Sequence, residues 1–204
     1  MLGESQKRGF VGPLLLTGFE AFVVDEVLLN NPTIELVSAL STRVHEAAIL
    51  PVEYDRTRDI FEGILDQVAP RIWIGLGLAA HRTSIAIECV AVNVQHGDTP
   101  DNANEIRCNQ SIWPDGPLAY ETTVRVSDLL RHLRANGHDA IQSFHAGTFL
   151  CNQVYYQALR RVSLSSSPLE LAVFIHVPGP DNQPLDKTQS ALQAVLDWFG
   201  CAPG

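Results

Sequence analysis

Short apolar runs recur along the chain and are separated by stretches in which apolar residues follow helical spacing. Runs such as 71–76 (RIWIGL) and 169–177 (LELAVFIHV) are typical of strands that are covered on both faces of a sheet. The predicted strands are 13–17, 43–50, 71–76, 83–94, 140–144 and 169–177. The run at 83–94 exceeds what a regular alternation of strands and helices needs, so we expect it to add an antiparallel part.

Helices are predicted between these strands. Asn31 is expected to cap the first helix with Pro32 at its first position, while Asp55 and Ser127 are expected to cap the next two. The fourth is predicted at 152–161, and the last has an apolar face formed by Leu192, Val195, Leu196 and Phe199. This order of elements predicts an α/β protein, a single-domain three-layer α/β/α sandwich with a twisted, mainly parallel but mixed sheet.

Composition narrows the class of protein. The 204 residues suit one domain, which we place at 13–204 after an N-terminal tail at 1–12. The net charge of −9 comes from 14 Lys and Arg against 23 Asp and Glu without a basic run, so we expect no nucleic-acid partner. No apolar run reaches the length of a membrane span and no signal segment is recognised. The four cysteines form no C-x-x-C pair, which favours a reducing, cytoplasmic location.

The segment 95–117 is long and irregular, with several prolines and polar residues. A loop of this length in a compact domain is usually functional or part of an interface. Its role is left open between a lid over a site and a contact between subunits.

Cys151 is the candidate nucleophile. It follows the strand at 140–144 and a small-residue turn at 146–148, and it stands at or near the start of the predicted fourth helix. The positive end of a helix dipole favours a thiolate, so we expect the pKa of this thiol to be lowered. The alternative is that Cys151 is simply a small buried apolar residue.

His176 and Glu88 are its candidate partners. His176 lies at the C-terminal end of a predicted strand, and active sites of open α/β sheets gather outside such ends. Glu88 lies inside an apolar run, where a carboxylate is costly unless it is paired, so it is the best candidate to orient the imidazole. Alternatively His176 is a core histidine, and Glu88 pairs structurally with Arg82 or Arg107.

A metal site is the other alternative. Cys89, His81, His96 and His145 could act as ligands, but none of them shows the close H-x-x-x-H or C-x-x-C spacing of a metal motif. We therefore expect no metal.

Four motifs together carry a resemblance to a known family. They lie at 15–22 (LLTGFEAF, followed by an Asn-Pro at 31–32), 88–93 (ECVAVN), 146–152 (AGTFLCN) and 174–178 (FIHVP). In this order they resemble the pyroglutamyl peptidase I, or pyrrolidone-carboxylate peptidase, family of cysteine peptidases. The resemblance covers about residues 13 to 199 and is most specific in the third motif.

The resemblance implies a mechanism. Cys151 would be the nucleophile, His176 the general base and acid, and Glu88 the residue that orients His176. The family removes N-terminal pyroglutamate (5-oxoproline) from peptides, so pyroglutamylated peptides are the expected partners. It uses no cofactor or metal, is cytoplasmic, resembles purine phosphorylases in sheet topology and often forms homotetramers in bacteria. A homodimer or homotetramer is therefore expected.

The resemblance also implies a substrate pocket. By position, Phe19, Phe22, Phe149 and Leu150 would line the pocket for the lactam ring, and such a ring suits aromatic walls with a few hydrogen bonds. Arg82 matches a family arginine near the site and is a candidate for supporting the oxyanion, as is the backbone N–H of Cys151.

The chain departs from the family around this pocket. Val23 and Val24 replace two glycines, Leu78 replaces a pocket glutamine, and Ala80-His81 replaces a Gly-Gly before Arg82; Cys89 stands where the family has an arginine. These changes leave two alternatives to a pyroglutamyl peptidase: a thiol amidohydrolase of another blocked or lactam substrate, and a non-catalytic binder of pyroglutamyl peptides.

Overall fold

The central sheet and its covering helices account for most of the chain in the computed structural model, which describes residues 12–24 and 27–201. Its strands are β1 (Leu14–Phe19), β2 (Phe22–Val24), β3 (Val27–Leu29), β4 (Glu46–Leu50), β5 (Ile72–Ala79), β6 (Ile85–Glu88), β7 (Val90–Val92), β8 (Ala119–Glu121), β9 (Ala140–Ser143) and β10 (Leu171–Pro178). Its helices are α1 (Thr33–Leu40), α2 (Tyr54–Val68), α3 (Val126–Ala135), α4 (Leu150–Ser163) and α5 (Leu185–Trp198), with a short 3-10 turn at Ser41–Arg43.

Six strands form one mixed sheet in the order β4-β1-β5-β10-β6-β9. The first four run parallel to one another, whereas β6 pairs antiparallel with β10 and β9 runs parallel to β6. The pairs β2–β3 and β7–β8 form two separate antiparallel ribbons. The predicted α/β fold with a mixed sheet is thus confirmed, including the antiparallel contribution from the segment after Thr83.

Both faces of the sheet are covered, which explains why the central strands are apolar throughout. Every side chain of β1 and β6 is buried. Helices α1, α3 and α5 cover one face, against a cluster that includes Leu16, Ile74 and Ile175. Helices α2 and α4 cover the other, against a cluster built on the rings of Trp73 and Phe174. Each such buried apolar side chain contributes about 1.5–3 kcal/mol.

Two of the predicted helix caps are wrong. Helix α2 begins at Tyr54 and follows Glu53, and Asp55 lies in its first turn. The N–H of Tyr54 donates instead to Oδ2 of Asp101, at 2.8 Å, a partner that is distant in sequence. Helix α3 begins at Val126, before the predicted cap Ser127. The tertiary partner of the Tyr54 N–H is one that local sequence does not specify.

Two stretches of the chain form secondary-structure elements that differ from the predicted ones. The strand expected at 83–94 breaks at Cys89, because the chain leaves the central sheet after β6 and enters the β7–β8 ribbon. The segment between the predicted first strand and first helix contains the β2–β3 ribbon, and β1 extends to Phe19, two residues beyond the predicted strand. The segment 95–117 is irregular as predicted, apart from a bridge between Gln95 and Gln110.

The tail predicted at 1–12 lies outside the described residues except for Gly12, as do 25–26 and 202–204. Among the helices of the described part, none is long and apolar enough to cross a membrane.

Candidate active site

Glu88 and His176 meet on neighbouring strands. In the antiparallel pair β10–β6, Phe174 lies opposite Glu88 and His176 opposite Ala86, so both side chains lie on the sheet face covered by α4. Nδ1 of His176 lies 2.8 Å from Oε1 of Glu88, and both side chains are buried. When Glu88 is ionised it can only accept, so Nδ1 carries the proton and Nε2 is left for proton transfer. The predicted imidazole–carboxylate pair is therefore formed.

Arg82 lies behind this pair. Its Nη2 is 3.6 Å from Oε1 of Glu88 and donates a 3.1 Å hydrogen bond to Oγ of Ser143, at the end of β9. The guanidinium thus faces the same carboxylate oxygen that binds His176. The other oxygen of Glu88, Oε2, is buried without a hydrogen-bond partner among the described residues. A single nearby cation therefore compensates a carboxylate that is wholly removed from water.

Cys151 is the second residue of α4 and packs against the same sheet face. The turn that delivers it contains Gly147, whose φ of 80° is costly for any residue with a side chain. A Cβ atom at Gly77 would lie 2.7 Å from Sγ of Cys151, so the thiol occupies the space left by this glycine. Gly77 is paired with His176 across β5 and β10, which puts the thiol and the imidazole over adjacent strands.

The route by which these residues meet differs from the one predicted. Because β9 runs opposite to β10, the carboxyl ends of these two strands lie at opposite edges of the sheet. Cys151 and His176 therefore do not meet outside a common edge. The chain after Ser143 turns back through residues 144–149, which place Cys151, at the start of α4, above β5 and β10.

The expected lowering of the Cys151 pKa is wrong. Desolvation by the surrounding protein, followed by the nearby carboxylate of Glu88, raises the pKa of this thiol to about 12. The effect of desolvation on this pKa is larger than that of the helix dipole, because the field at a helix end stabilises a thiolate by much less free energy than the thiolate loses when water is removed. Among the described residues, no hydrogen bond joins Cys151 to His176. At neutral pH the free protein thus holds this thiol in its neutral form.

This raised pKa predicts a slow and strongly pH-dependent alkylation of Cys151. Because the thiolate is the reactive form, its rate with iodoacetamide should rise about tenfold per pH unit from pH 7 to pH 10 without levelling off. Peptide mass mapping measures this rate, and the exposed Cys108 provides an internal control for the reagent. A rate at Cys151 that is already constant above pH 7 would contradict the raised pKa.

The close contact between Gly77 and the thiol of Cys151 predicts that any side chain at position 77 lowers activity. Gly77→Ala would place a methyl group 2.7 Å from Sγ of Cys151 and 2.8 Å from Cζ of Phe174, so the thiol must move. We expect kcat/KM to fall by about 100-fold, since small displacements of a reacting group are costly. The control is Gly63→Ala on the exposed side of α2, where a Cβ meets nothing within 4 Å. This control should keep full activity and gain about 1 kcal/mol of stability; equal activity in both variants would contradict the placement of Cys151.

The proposed pocket residues differ in their exposure. Phe22 and Phe149 are partly buried and pack, with Cys151, at the border of the core beneath α2 and α4. Phe19 and Leu150 are fully inside this core, at 3% and 1% exposure, so they can only form the floor of a pocket. Leu78 is opposite Val177 and alternation along β5 directs it to the other face of the sheet, away from Cys151.

The positions that depart from the family do not lie together on one face of the sheet. Val23 belongs to the β2–β3 ribbon and is largely exposed, and Val24 is the last residue of β2. The carbonyl of Ala80 accepts a hydrogen bond from the side chain of Asn182, His81 follows it in an exposed turn, and Cys89 is buried with its Sγ accepting from Gln142. Within the described residues, no three His, Cys, Asp or Glu side chains are grouped to hold a metal.

Two buried polar residues beside Cys151 were not predicted. Asn152 accepts from the N–H of Val92 and donates to the carbonyls of Val92 and Val94, which fixes the start of α4 to the β7 segment. Gln153 donates to the carbonyl of Tyr54 and so joins α4 to α2. Consecutive amides at the start of an otherwise apolar helix were the available signal, because buried amides need partners.

Known proteins resemble this chain over most of its length. A family model described as pyroglutamyl peptidase matches residues 13–196. A pyrrolidone-carboxylate peptidase of Thermococcus litoralis is 35% identical over 179 residues, covering 85% of this chain and 80% of that protein. One of Pseudomonas fluorescens is 37% identical over 171 residues, covering 81% and 78%. The crystal structure of the pyrrolidone carboxyl peptidase of Fervidobacterium islandicum superposes with a TM-score of 0.84 at 30% identity, covering 91% and 96%.

An α/β/α fold of this topology, with the sequence matches that accompany it, defines a hydrolase of the peptidase class. Within that class, the chain belongs to the pyroglutamyl peptidase family. The resemblance read from the four sequence motifs is thereby confirmed.

Proposed function

We propose that this protein is a cysteine peptidase that removes N-terminal pyroglutamate from peptides, with Cys151 as nucleophile, His176 as general base and acid, and Glu88 as the residue that orients His176. The observation that carries the proposal is the buried 2.8 Å contact between Nδ1 of His176 and Glu88, formed on the sheet face against which Cys151 packs. Family membership supplies the substrate class.

The first half of the reaction forms a thioester. Nε2 of His176 takes the thiol proton of Cys151 as Sγ attacks the pyroglutamyl carbonyl carbon, and Glu88 stabilises the imidazolium that results. The imidazolium then gives this proton to the leaving amine as the C–N bond breaks. A thiol with a raised pKa suits this order, because the proton moves only when substrate is in place.

The second half hydrolyses the thioester. Nε2 of His176 takes a proton from water, the resulting nucleophile attacks the thioester carbonyl, and the proton returns to Sγ as free pyroglutamate leaves. The N–H groups at the start of α4, including that of Cys151, have no partners within the helix and are the proposed oxyanion donors.

Arg82 is proposed to support the site from behind and not at the oxyanion. Its guanidinium faces Oε1 of Glu88 and donates to the hydroxyl of Ser143, so it holds in place the carboxylate that contacts His176. This assignment separates the charge that orients the base from the groups that bind the developing oxyanion.

A panel of fluorogenic amides tests the substrate class. Under reducing conditions at neutral pH, we expect release of the fluorophore from the pyroglutamyl amide and much slower release from the prolyl and N-acetyl amides. Preference for another blocked residue would favour a different thiol amidohydrolase, a possibility that the departures from the family at Val23, Ala80 and His81 motivate. Binding of pyroglutamyl peptides without any turnover would favour a non-catalytic binder, as the unactivated thiol of Cys151 motivates.

The remaining expectations from the resemblance are part of the same proposal. We infer a cytoplasmic protein in which residues 13–204 form one peptidase domain, acting as a homodimer or homotetramer. Light scattering on the purified protein measures the oligomeric state.

A further inference from the structure

Tyr54 carries a buried hydroxyl that the fold does not use. It is the first residue of α2 and is only 1% exposed, yet its Oη has no hydrogen-bond partner among the described residues. Its backbone, by contrast, is held at both ends: the N–H donates to Asp101 and the carbonyl accepts from Gln153 of α4. The ring is therefore fixed in place with an unpartnered donor at its tip.

This tip lies beside the start of α4. The Tyr54 ring stands edge-on to the ring of Phe149, with centroids 5.3 Å apart, and Phe149 is two residues before the proposed nucleophile. A Cβ atom at Gly97 would lie 3.2 Å from Oη of Tyr54 and 3.1 Å from Cδ2 of Phe149. The segment holding Gly97 is itself tied to α4, because His96 and Thr148 exchange hydrogen bonds of 2.9 and 2.7 Å. Because Gly97 has no side chain, no Cβ atom presses against the hydroxyl on this side, although Oη itself is buried.

Other buried tyrosines of the same core do not share this property. The hydroxyls of Tyr155 and Tyr156 donate to the carbonyls of Glu88 and Pro117, each at 2.8 Å. A buried hydroxyl without a partner costs free energy, and such a group in a native structure calls for an explanation. Burial raises the pKa of Tyr54 to about 12, so the group remains a donor at neutral pH.

We propose that Oη of Tyr54 donates a hydrogen bond to the lactam carbonyl oxygen of the substrate and so makes Tyr54 a specificity-determining residue. The inference rests on the proposed function, since it assigns the ring of pyroglutamate to the space beside Phe149. The aromatic walls at Phe22 and Phe149 bind a flat ring without distinguishing a lactam from a proline. A fixed donor does distinguish them, because only the lactam ring has a carbonyl to accept its proton.

Tyr54→Phe tests the assignment by removing the hydroxyl and keeping the ring. A carbonyl buried without its donor is strongly disfavoured, so we expect KM for a pyroglutamyl amide, and the Kd for 2-pyrrolidone measured by NMR titration, to rise about 5- to 150-fold. The thermal midpoint should not fall, because the lost hydroxyl had no partner. The matched control is Tyr156→Phe, which should lower the midpoint and leave both constants unchanged, since it loses a bond within the fold.

Gly97→Ala is the second variant, because its methyl group would contact Oη while the hydroxyl is retained. We expect it to raise both the KM for the pyroglutamyl amide and the Kd for 2-pyrrolidone. Unchanged constants in Tyr54→Phe would overturn the inference and leave the peptidase proposal standing, as would a lowered midpoint with normal binding. Absence of turnover by the wild type would overturn the peptidase proposal, and the titration with 2-pyrrolidone would still decide the role of Tyr54. Failure of the wild type to bind 2-pyrrolidone would also overturn the inference.

Discussion

Replacing Cys151 with alanine is expected to lower kcat on a pyroglutamyl amide by about 10⁵- to 10⁶-fold, because loss of a covalent nucleophile usually reduces kcat by about this factor. No other described thiol can take its place on this face of the sheet. Cys89 and Cys201 lie on the opposite side, in or against the cluster beneath α3 and α5, and Cys108 is exposed in the irregular segment. Steady-state release of the fluorophore measures the effect.

Removal of this thiol should not harm the fold. Cys151→Ala deletes one sulfur atom at the border of the core, so circular dichroism and the thermal midpoint should stay near those of the wild type. Cys108→Ala is the matched control and should keep full activity. Residual turnover of more than a few per cent in Cys151→Ala, with normal folding, would show that Cys151 is not the nucleophile.

Glu88→Gln is expected to have the second largest effect, a fall in kcat of about 10³- to 10⁴-fold. The glutamine can still accept from Nδ1 of His176, but it can no longer stabilise an imidazolium, and Arg82 loses the charge it faces at 3.6 Å. Because the amide also carries a donor, it can favour the wrong tautomer of His176. KM should change little, since Glu88 is buried behind the imidazole.

The control for this change is Glu170→Gln, the same substitution in the exposed ion pair with Arg71. Surface ion pairs contribute about 0–1 kcal/mol, so this variant should keep wild-type kinetics. Equal kcat in Glu88→Gln and the wild type would leave Glu88 with a structural role only.

The strand and helix order was predictable because burial on both sides leaves a direct mark on sequence. Runs such as those around Trp73 and Phe174 are apolar throughout, and the helices between them show the expected spacing of apolar residues. The direction of β9 was not predictable. Strand direction in a sheet follows from long-range pairing, and the switch at Cys89 from the central sheet to the β7–β8 ribbon has no local signal.

The candidate site, like the fold, was only partly predictable from the sequence. That Glu88 has a buried partner could be expected from chemistry alone, because a carboxylate in an apolar strand is costly unless paired, but His176, Arg82 and Arg107 all remained candidates. The protonation of Cys151 could not, because it depends on how densely the surrounding chain excludes water from a helix start. The unpartnered hydroxyl of Tyr54 is likewise visible only in three dimensions, since its neighbours Gly97 and Phe149 are distant in sequence.

The central claim, that Cys151 attacks a carbonyl next to a bound pyroglutamyl ring, can be tested with the chloromethyl ketone of pyroglutamate. Attack by Sγ would displace chloride and form a stable carbon–sulfur bond, and peptide mass mapping locates the label among the cysteines. The predicted result is one label per chain, on Cys151, formed much faster than with a chloromethyl ketone that lacks the lactam ring and slowed by 2-pyrrolidone. Labelling of Cys108 in place of Cys151, or equal rates with and without the ring, would contradict the claim.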